Sequence, residues 1–322
     1  MPTLKTPPLP CTSLIICGAR PVCTLTRFPR KVPTMYEKVL VPFDFSPGSK
    51  HAVECVKSIP GTRHVLLLHV VYTKTPSVAG EFVNPDADYA RLRLEEYVRS
   101  LGNPGFAIAT RVEEITGGNI SDVVNRVAAA EGISLTVMGR RGQGVIEALL
   151  LGSVASDVLR YGTTDLLLVG RPGKEPAGGA KPPCPDLFSH VVICTDFSAP
   201  DVVALACGRL PRPRRVSLLH VVSHGESEDE VRKLTESAWA ELEECTGAFS
   251  SRHVPVETAV RVGSTAEEIV AFSEKEGATL IVMKSAGKRG FIPGFPGTTT
   301  AHVARAARVP VLVLKQPAVA PQ

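Results

Sequence analysis

Two stretches of this chain carry residue types at spacings that suit chemistry. Met138-Gly139-Arg140-Arg141-Gly142 is followed by nine residues, Gln143–Leu151, and then by Gly152-Ser153. The pattern is G-x2-G-x9-G-S. Glycine lets backbone approach a ligand with no Cβ in the way. A glycine and a hydroxyl residue opening a helix leave its first N–H groups and its positive dipole end for an anion, and phosphate suits that place. Arg140 and Arg141 are candidates to add charge toward a polyphosphate. The second stretch is Asp44-Phe45-Ser46, directly after the apolar run Val39–Phe43. Asp44 either caps a turn or accepts hydrogen bonds from a ribose.

Other chemistry is thinly represented. His69 and His220 end the apolar runs Leu67–Val71 and Leu218–Val222, and read as packed structural residues rather than metal ligands. No Ser/His/Asp or Cys/His pairing is apparent, no acidic pair is placed for magnesium, and no CxxC occurs, although zinc sites usually carry such close pairs. The expectation is neither a catalytic set nor a metal centre.

The elements that must position these residues appear twice. Val39–Ser46 resembles Val191–Ser198, and Leu67-Leu68-His69-Val70-Val71 matches Leu218-Leu219-His220-Val221-Val222. A period this long excludes a solenoid and implies two similar globular domains. In the first, strands are expected near 38–43, 64–71, 106–112, 134–138 and 165–169. Helices are expected near 47–59, 86–101, 119–131 and 152–161. Ser46-Pro47 is a helix start, a Ser cap before Pro at the first helical position. In the second, strands are expected near 189–194, 215–222, 254–260, 279–283 and 310–314. Continuous apolar strands alternating with helices give an α/β fold with a parallel sheet covered on both faces. Ligands of such sheets bind at the carboxyl ends of strands, where strand order reverses.

Composition agrees and excludes other classes. The 322 residues suggest two domains at roughly 150 residues each. At 44% hydrophobic and 21% charged the chain is not disordered throughout. No apolar run nears the roughly 18 residues of a membrane-spanning helix, so no membrane partner is expected. With 5% aromatics and one Trp, single-strand stacking platforms are not expected. The net charge of +4 lies in residues 1–34, where Lys5, Arg20, Arg27, Arg30 and Lys31 give +5 with no acid, leaving −1 for the rest. Nucleic acid is therefore not an expected partner. Residues 1–34 hold seven prolines and read as a disordered extension or an over-extended start, with Met35 the better beginning. The expected division is 35–172, a Pro/Gly linker 173–186, 187–317, and a tail 318–322. Cys55, Cys184, Cys194, Cys207 and Cys245 read as reduced thiols in apolar surroundings, in a cytoplasmic protein.

Strand-Asp-Phe-Ser, Leu-Leu-His-Val and G-x2-G-x9-G-S together resemble the universal stress protein family, UspA type, in tandem form over most of the chain. The resemblance implies two tandem Rossmann-like domains of the adenine nucleotide alpha hydrolase-like kind. Each would be a five-stranded parallel sheet, order 3-2-1-4-5, and the last strands 166–169 and 311–314 would pair within the chain, with room for a homodimer. It implies ATP or AMP, with or without Mg2+, across the ends of strands one and four. Asp44 would meet the ribose and the Val70 backbone the adenine. Gly139, Gly142, Gly152 and Ser153 would cradle ribose and phosphates, with Pro42 and Arg141 completing the set. The second domain keeps Asp196, Val221, Gly287, Gly297 and Thr298 but has Lys284 where the first glycine belongs. Lys284 either crowds the ribose or contacts phosphate, and the first domain should bind more tightly.

The function so implied is a regulatory nucleotide-binding protein of the stress response, with at most slow ATP hydrolysis. An adenylating enzyme of the ATP-pyrophosphatase type would carry paired glycines after strand one, where Asp44–Ser49 has none. A dehydrogenase would carry GxGxxG there. A nucleotide-free partner-binding module is the third reading.

Overall fold

The computed structural model describes residues 36–74, 84–140, 151–170, 184, 186–199, 201–223, 225, 227–285 and 298–315. The extension 1–34, nearly all of the linker, the tail, Arg141, Gly142, Gly287 and Gly297 lie outside the described residues.

The apolar runs form strands and the longer amphipathic stretches form helices. The first half contains β1 (Lys38–Pro42), α1 (Pro47–Val56), β2 (His64–Tyr72), α2 (Pro85–Ser100), β3 (Ala107–Ile115), α3 (Ile120–Ala130), β4 (Leu135–Gly139), α4 (Ser153–Tyr161) and β5 (Asp165–Val169). The second half contains β6 (His190–Cys194), α5 (Val202–Arg209), β7 (Arg215–Val222), α6 (Glu228–Ser250), β8 (Val256–Val262), α7 (Thr265–Lys275), β9 (Leu280–Lys284), α8 (Thr298–Ala306) and β10 (Val311–Leu314). Among the described residues no helix is long and apolar enough to cross a membrane.

All ten strands join one sheet in the order β3-β2-β1-β4-β5-β10-β9-β6-β7-β8. Pairing is parallel within each half and antiparallel at the seam, where Val311, Leu312 and Val313 face Leu168, Leu167 and Leu166. Alternate residues feed two apolar layers. Val39, Val41, Leu312 and Leu314 pack beneath the face covered by α1 and α5, while Leu40, Val311 and Val313 pack beneath that covered by α4 and α8. Both layers run through the seam, so neither half has a separate core.

The seam is also crossed by charge. The Arg140 guanidinium donates to the carbonyls of Ala307 and Val309, just beyond α8. The Lys315 ammonium donates to the Leu159 carbonyl in the last turn of α4. Each half thus sends a cation to the carbonyl end of the other half's last helix, where the dipole is negative. Asp165, buried at 5% exposure, accepts from the Tyr36 hydroxyl at 3.0 Å, from Arg209 at 2.7 Å and from the Lys315 N–H at 2.9 Å.

The cysteines depart from the sequence expectation. Cys55 on α1 is disulfide-bonded to Cys184 at the end of the linker, and among the described residues Cys194, Cys207 and Cys245 are not in a disulfide. The pair lies 129 residues apart in sequence.

Candidate functional site

The first site is built at the carboxyl ends of β1, β2 and β4, where the strand order reverses beside β1. Beyond β1 the Phe43 N–H is still held by the Leu68 carbonyl, at 2.8 Å. The chain then turns tightly. Asp44 Oδ1 accepts from the Ser46 N–H at 3.0 Å, and Phe45 between them has φ 63°, a left-handed conformation uncommon outside glycine. Ser46 caps α1, accepting from Ser49 N at 3.2 Å, with Pro47 in the first turn. These bonds fix Asp44 at the strand end.

Gly139 is required by close approach. A Cβ placed there would stand 2.9 Å from the backbone C and O of Gly48, in the first turn of α1. The Gly152 N–H donates to the Arg140 carbonyl at 2.7 Å. Gly152 takes the cap position of α4, and the first turn, Ser153 to Ala155, faces a cavity of about 600 Å³. First-turn N–H groups have no acceptor within their own helix, so that end can receive an anion.

Pro42, Asp44, Val70, Gly139, Gly152 and Ser153 all line this one cavity. Arg140 also borders it, but its guanidinium is turned to Ala307 and Val309, which corrects the expectation that it supplies charge to a polyphosphate. The structure adds a wall that the sequence reading missed. Phe45 packs against the His69 ring at 4.9 Å between centroids, and the Arg93 guanidinium from α2 lies 4.0 Å over the Phe45 ring. Tyr89, one turn before Arg93, also lines the cavity. Tyr89 and Arg93 stand at i and i+4 on α2, behind the Asn84-Pro85 helix start, which was the available signal. His69 Nδ1 sits 2.6 Å from the Phe43 carbonyl, the structural role expected of it.

The second half repeats the turn but fills its strand end. Asp196 Oδ1 accepts from Ser198 N–H at 3.1 Å, Phe197 has φ 57°, and the His220 ring stacks on it at 4.5 Å. Val221 lies in β7, and Thr298 begins α8. Here the helix starts later. Asp201, not Ser198, caps α5, accepting from Val203 N at 3.2 Å. Lys284 ends β9 as Gly139 ends β4. Its side chain is 5% exposed, and its ammonium donates to the Ser198 carbonyl at 2.9 Å and to the Ser198 hydroxyl, 3.8 Å from Asp196 Oδ1. Burial pushes this ammonium below the usual lysine range, with Asp196 and Asp201 opposing. The lysine thus turns into the Asp196–Ser198 loop of its own half.

The profile of the universal stress protein family matches residues 35–170 and again 188–315. The universal stress protein MJ0577 of Methanocaldococcus jannaschii is 27% identical over 159 residues, 42% of this chain and 96% of that protein. MJ0531 of the same organism is 42% identical over 64 residues, 20% of this chain and 38% of that protein. Among solved structures, a universal stress protein from Archaeoglobus fulgidus aligns with TM-score 0.61 at 21% identity, covering 89% of this chain and 99% of that one. At that identity the likeness shows the fold, across both halves.

Proposed function

The chain belongs to the universal stress protein family, and from that premise we propose that its first half binds an adenine nucleotide, ATP or AMP, with or without Mg2+. The protein then acts as a regulatory nucleotide-binding protein, with at most slow hydrolysis of ATP. The observation that carries this reading is the convergence of Asp44, Val70, Gly139 and the Gly152–Ser153 helix start on one cavity. Its volume of about 600 Å³ lies in the range of roughly 300–1,000 Å³ typical of small-molecule sites.

In this reading the Asp44 carboxylate accepts from the ribose hydroxyls and the Val70 backbone meets the adenine edge. The α4 N-terminus receives the phosphates, and Arg141 and Gly142, outside the described residues, are assigned to the same ligand. Phe45, with Arg93 on its face, forms a wall beside the base. No fast chemistry is assigned. Among the described cavity residues Ser49 donates its hydroxyl to the Ser46 carbonyl, and His69 Nδ1 is engaged by Phe43, so neither forms a nucleophile–base pair. The second half is assigned weak binding or none, because Lys284 occupies the loop that would meet a ribose. The two domains are taken as 35–172 and 187–317, joined by 173–186. A cytoplasmic location goes with this reading, since adenine nucleotides are abundant there.

Calorimetric titration of the full chain with ATP and AMP tests the proposal. One tight site per chain is expected. Asp44→Asn keeps the Oδ1 acceptor for Ser46 but loses the charge, and should weaken binding by about tenfold, the worth of one charge-assisted hydrogen bond. Absence of binding for both nucleotides, or an unchanged affinity in Asp44→Asn, would overturn it.

A further inference from the structure

A second cluster of chemically capable side chains lies away from the nucleotide cavity. His51 and Cys55 stand one helical turn apart on α1, at i and i+4, the spacing that puts two side chains on one face. The His51 Nε2 is 3.7 Å from the Cys55 sulfur. Cys184 arrives from the end of the linker and is bonded to Cys55. The three ligand atoms all lie within 4.8 Å of one another. Cys55 is fully buried, and His51 and Cys184 are half-buried.

We propose that His51, Cys55 and Cys184 form a redox-gated site for a thiophilic divalent cation of the Zn2+ class, closed while the disulfide is intact and open once it is reduced. Zinc takes sulfur at about 2.3 Å and imidazole nitrogen at about 2.0–2.1 Å, so its tetrahedral ligand atoms stand roughly 3.5–3.8 Å apart. His51 and Cys55 already have that separation. A cut disulfide leaves Cys184 beside them, and the sulfurs need part only to ordinary non-bonded contact.

The chemistry balances. An external dithiol passes two electrons and two protons to the disulfide; it becomes a disulfide itself while Cys55 and Cys184 become thiols. The cation then displaces both thiol protons and binds two thiolates and one neutral imidazole, with water in the fourth position. Two thiolates cancel the charge of the cation, which suits a buried place. In either state the end of the linker is fastened to α1, three residues before the buried Leu187. The first turn of α1 also carries Ser49, which lines the nucleotide cavity. Sequence reading could not find this cluster, because its third member is 129 residues from its second.

The test uses the full chain, reduced, freed of reductant without oxygen, and titrated with Co2+ as a spectroscopic stand-in. Expected is one Co2+ per chain with a thiolate-to-metal charge-transfer band, displaced by one equivalent of Zn2+. The oxidised chain should lack the band. Cys184→Ser leaves the buried Cys55 in place and keeps Cys11, Cys17 and Cys23, so it carries any background from them. With its fold checked by circular dichroism, it should lose the band. His51→Ala should still form the disulfide by thiol count, yet bind Zn2+ at least about 100-fold more weakly, no less than the loss of an outer-shell partner. Equal Co2+ uptake by reduced wild type and Cys184→Ser would overturn the proposal and leave a disulfide alone. Unchanged Zn2+ affinity in His51→Ala, or a band in the oxidised chain, would overturn it as well.

Discussion

At the scale of single residues, Gly139 and Lys284 show one position serving two ends. At Gly139 the first turn of α1 comes so close that a Cβ would stand 2.9 Å from backbone atoms of Gly48, which cannot rotate aside as a side chain can. Gly139→Ala should therefore shift α1 against β4. The expected cost is about 1–3 kcal/mol, as for other forced overpacking, read as a lower denaturant midpoint together with weaker ATP binding. Unchanged stability would mean that α1 yields freely. The glycine spacing was legible in the sequence because it reports such backbone approaches. The fate of Lys284 was not. Both readings open to it faced a nucleotide, whereas its ammonium turns to Ser198, 86 residues away in sequence. Arg140 misled for the same reason, since its carbonyl partners lie 167 and 169 residues on.

At the scale of elements, every strand expected in either half is present. The inner strands are apolar runs buried on both faces, which leave little choice of period, whereas the edge strands β3 and β8 are only partly buried. Ends were less legible. The cap of α5 lies three residues after Ser198, since Asp201 competes successfully for it, and nothing local ranks Ser against Asp there. The ends of α4 and α8 carry a pH prediction. Burial holds the Lys315 ammonium down to about 8, against the pull of Asp165. The unfolded chain therefore binds more protons than the native one between about pH 8 and pH 10.5, and stability rises with pH across that window, by up to about 3 kcal/mol if complete. Burial raises the Tyr36 and Cys194 pKa values, which works the other way at the alkaline end. The comparison with Lys315→Met removes both effects, since that chain keeps Tyr36 and Cys194. Denaturant midpoints from pH 7.5 to 9.5 should climb in wild type relative to Lys315→Met. Parallel curves would show that Lys315 does not titrate in this range.

At the scale of the whole molecule, the seam joins ten strands into one sheet, and the two halves are expected to unfold together. Pairing of the last strands was legible through the family resemblance, and it has a physical reason, since two apolar edges demand cover. The link from Cys55 to Cys184 was not, since connectivity of distant cysteines has no local pattern. The only tryptophan of the chain, Trp239 on α6, reports on the second half alone. Val137 on β4 is fully buried in the first half. Val137→Ala should cost about 1–3 kcal/mol and move the unfolding transition seen by Trp239 as far as that seen by circular dichroism. A Trp239 transition left in place would mean the halves unfold independently. The antiparallel β5–β10 pairing has a further consequence, in mass action. Two separate chains joined at their fifth strands would part on dilution. Held in one chain, the same contact is a first-order equilibrium whose extent is set by the tether and not by abundance. The paired sheet is thus the same at a few copies per cell as at many thousands.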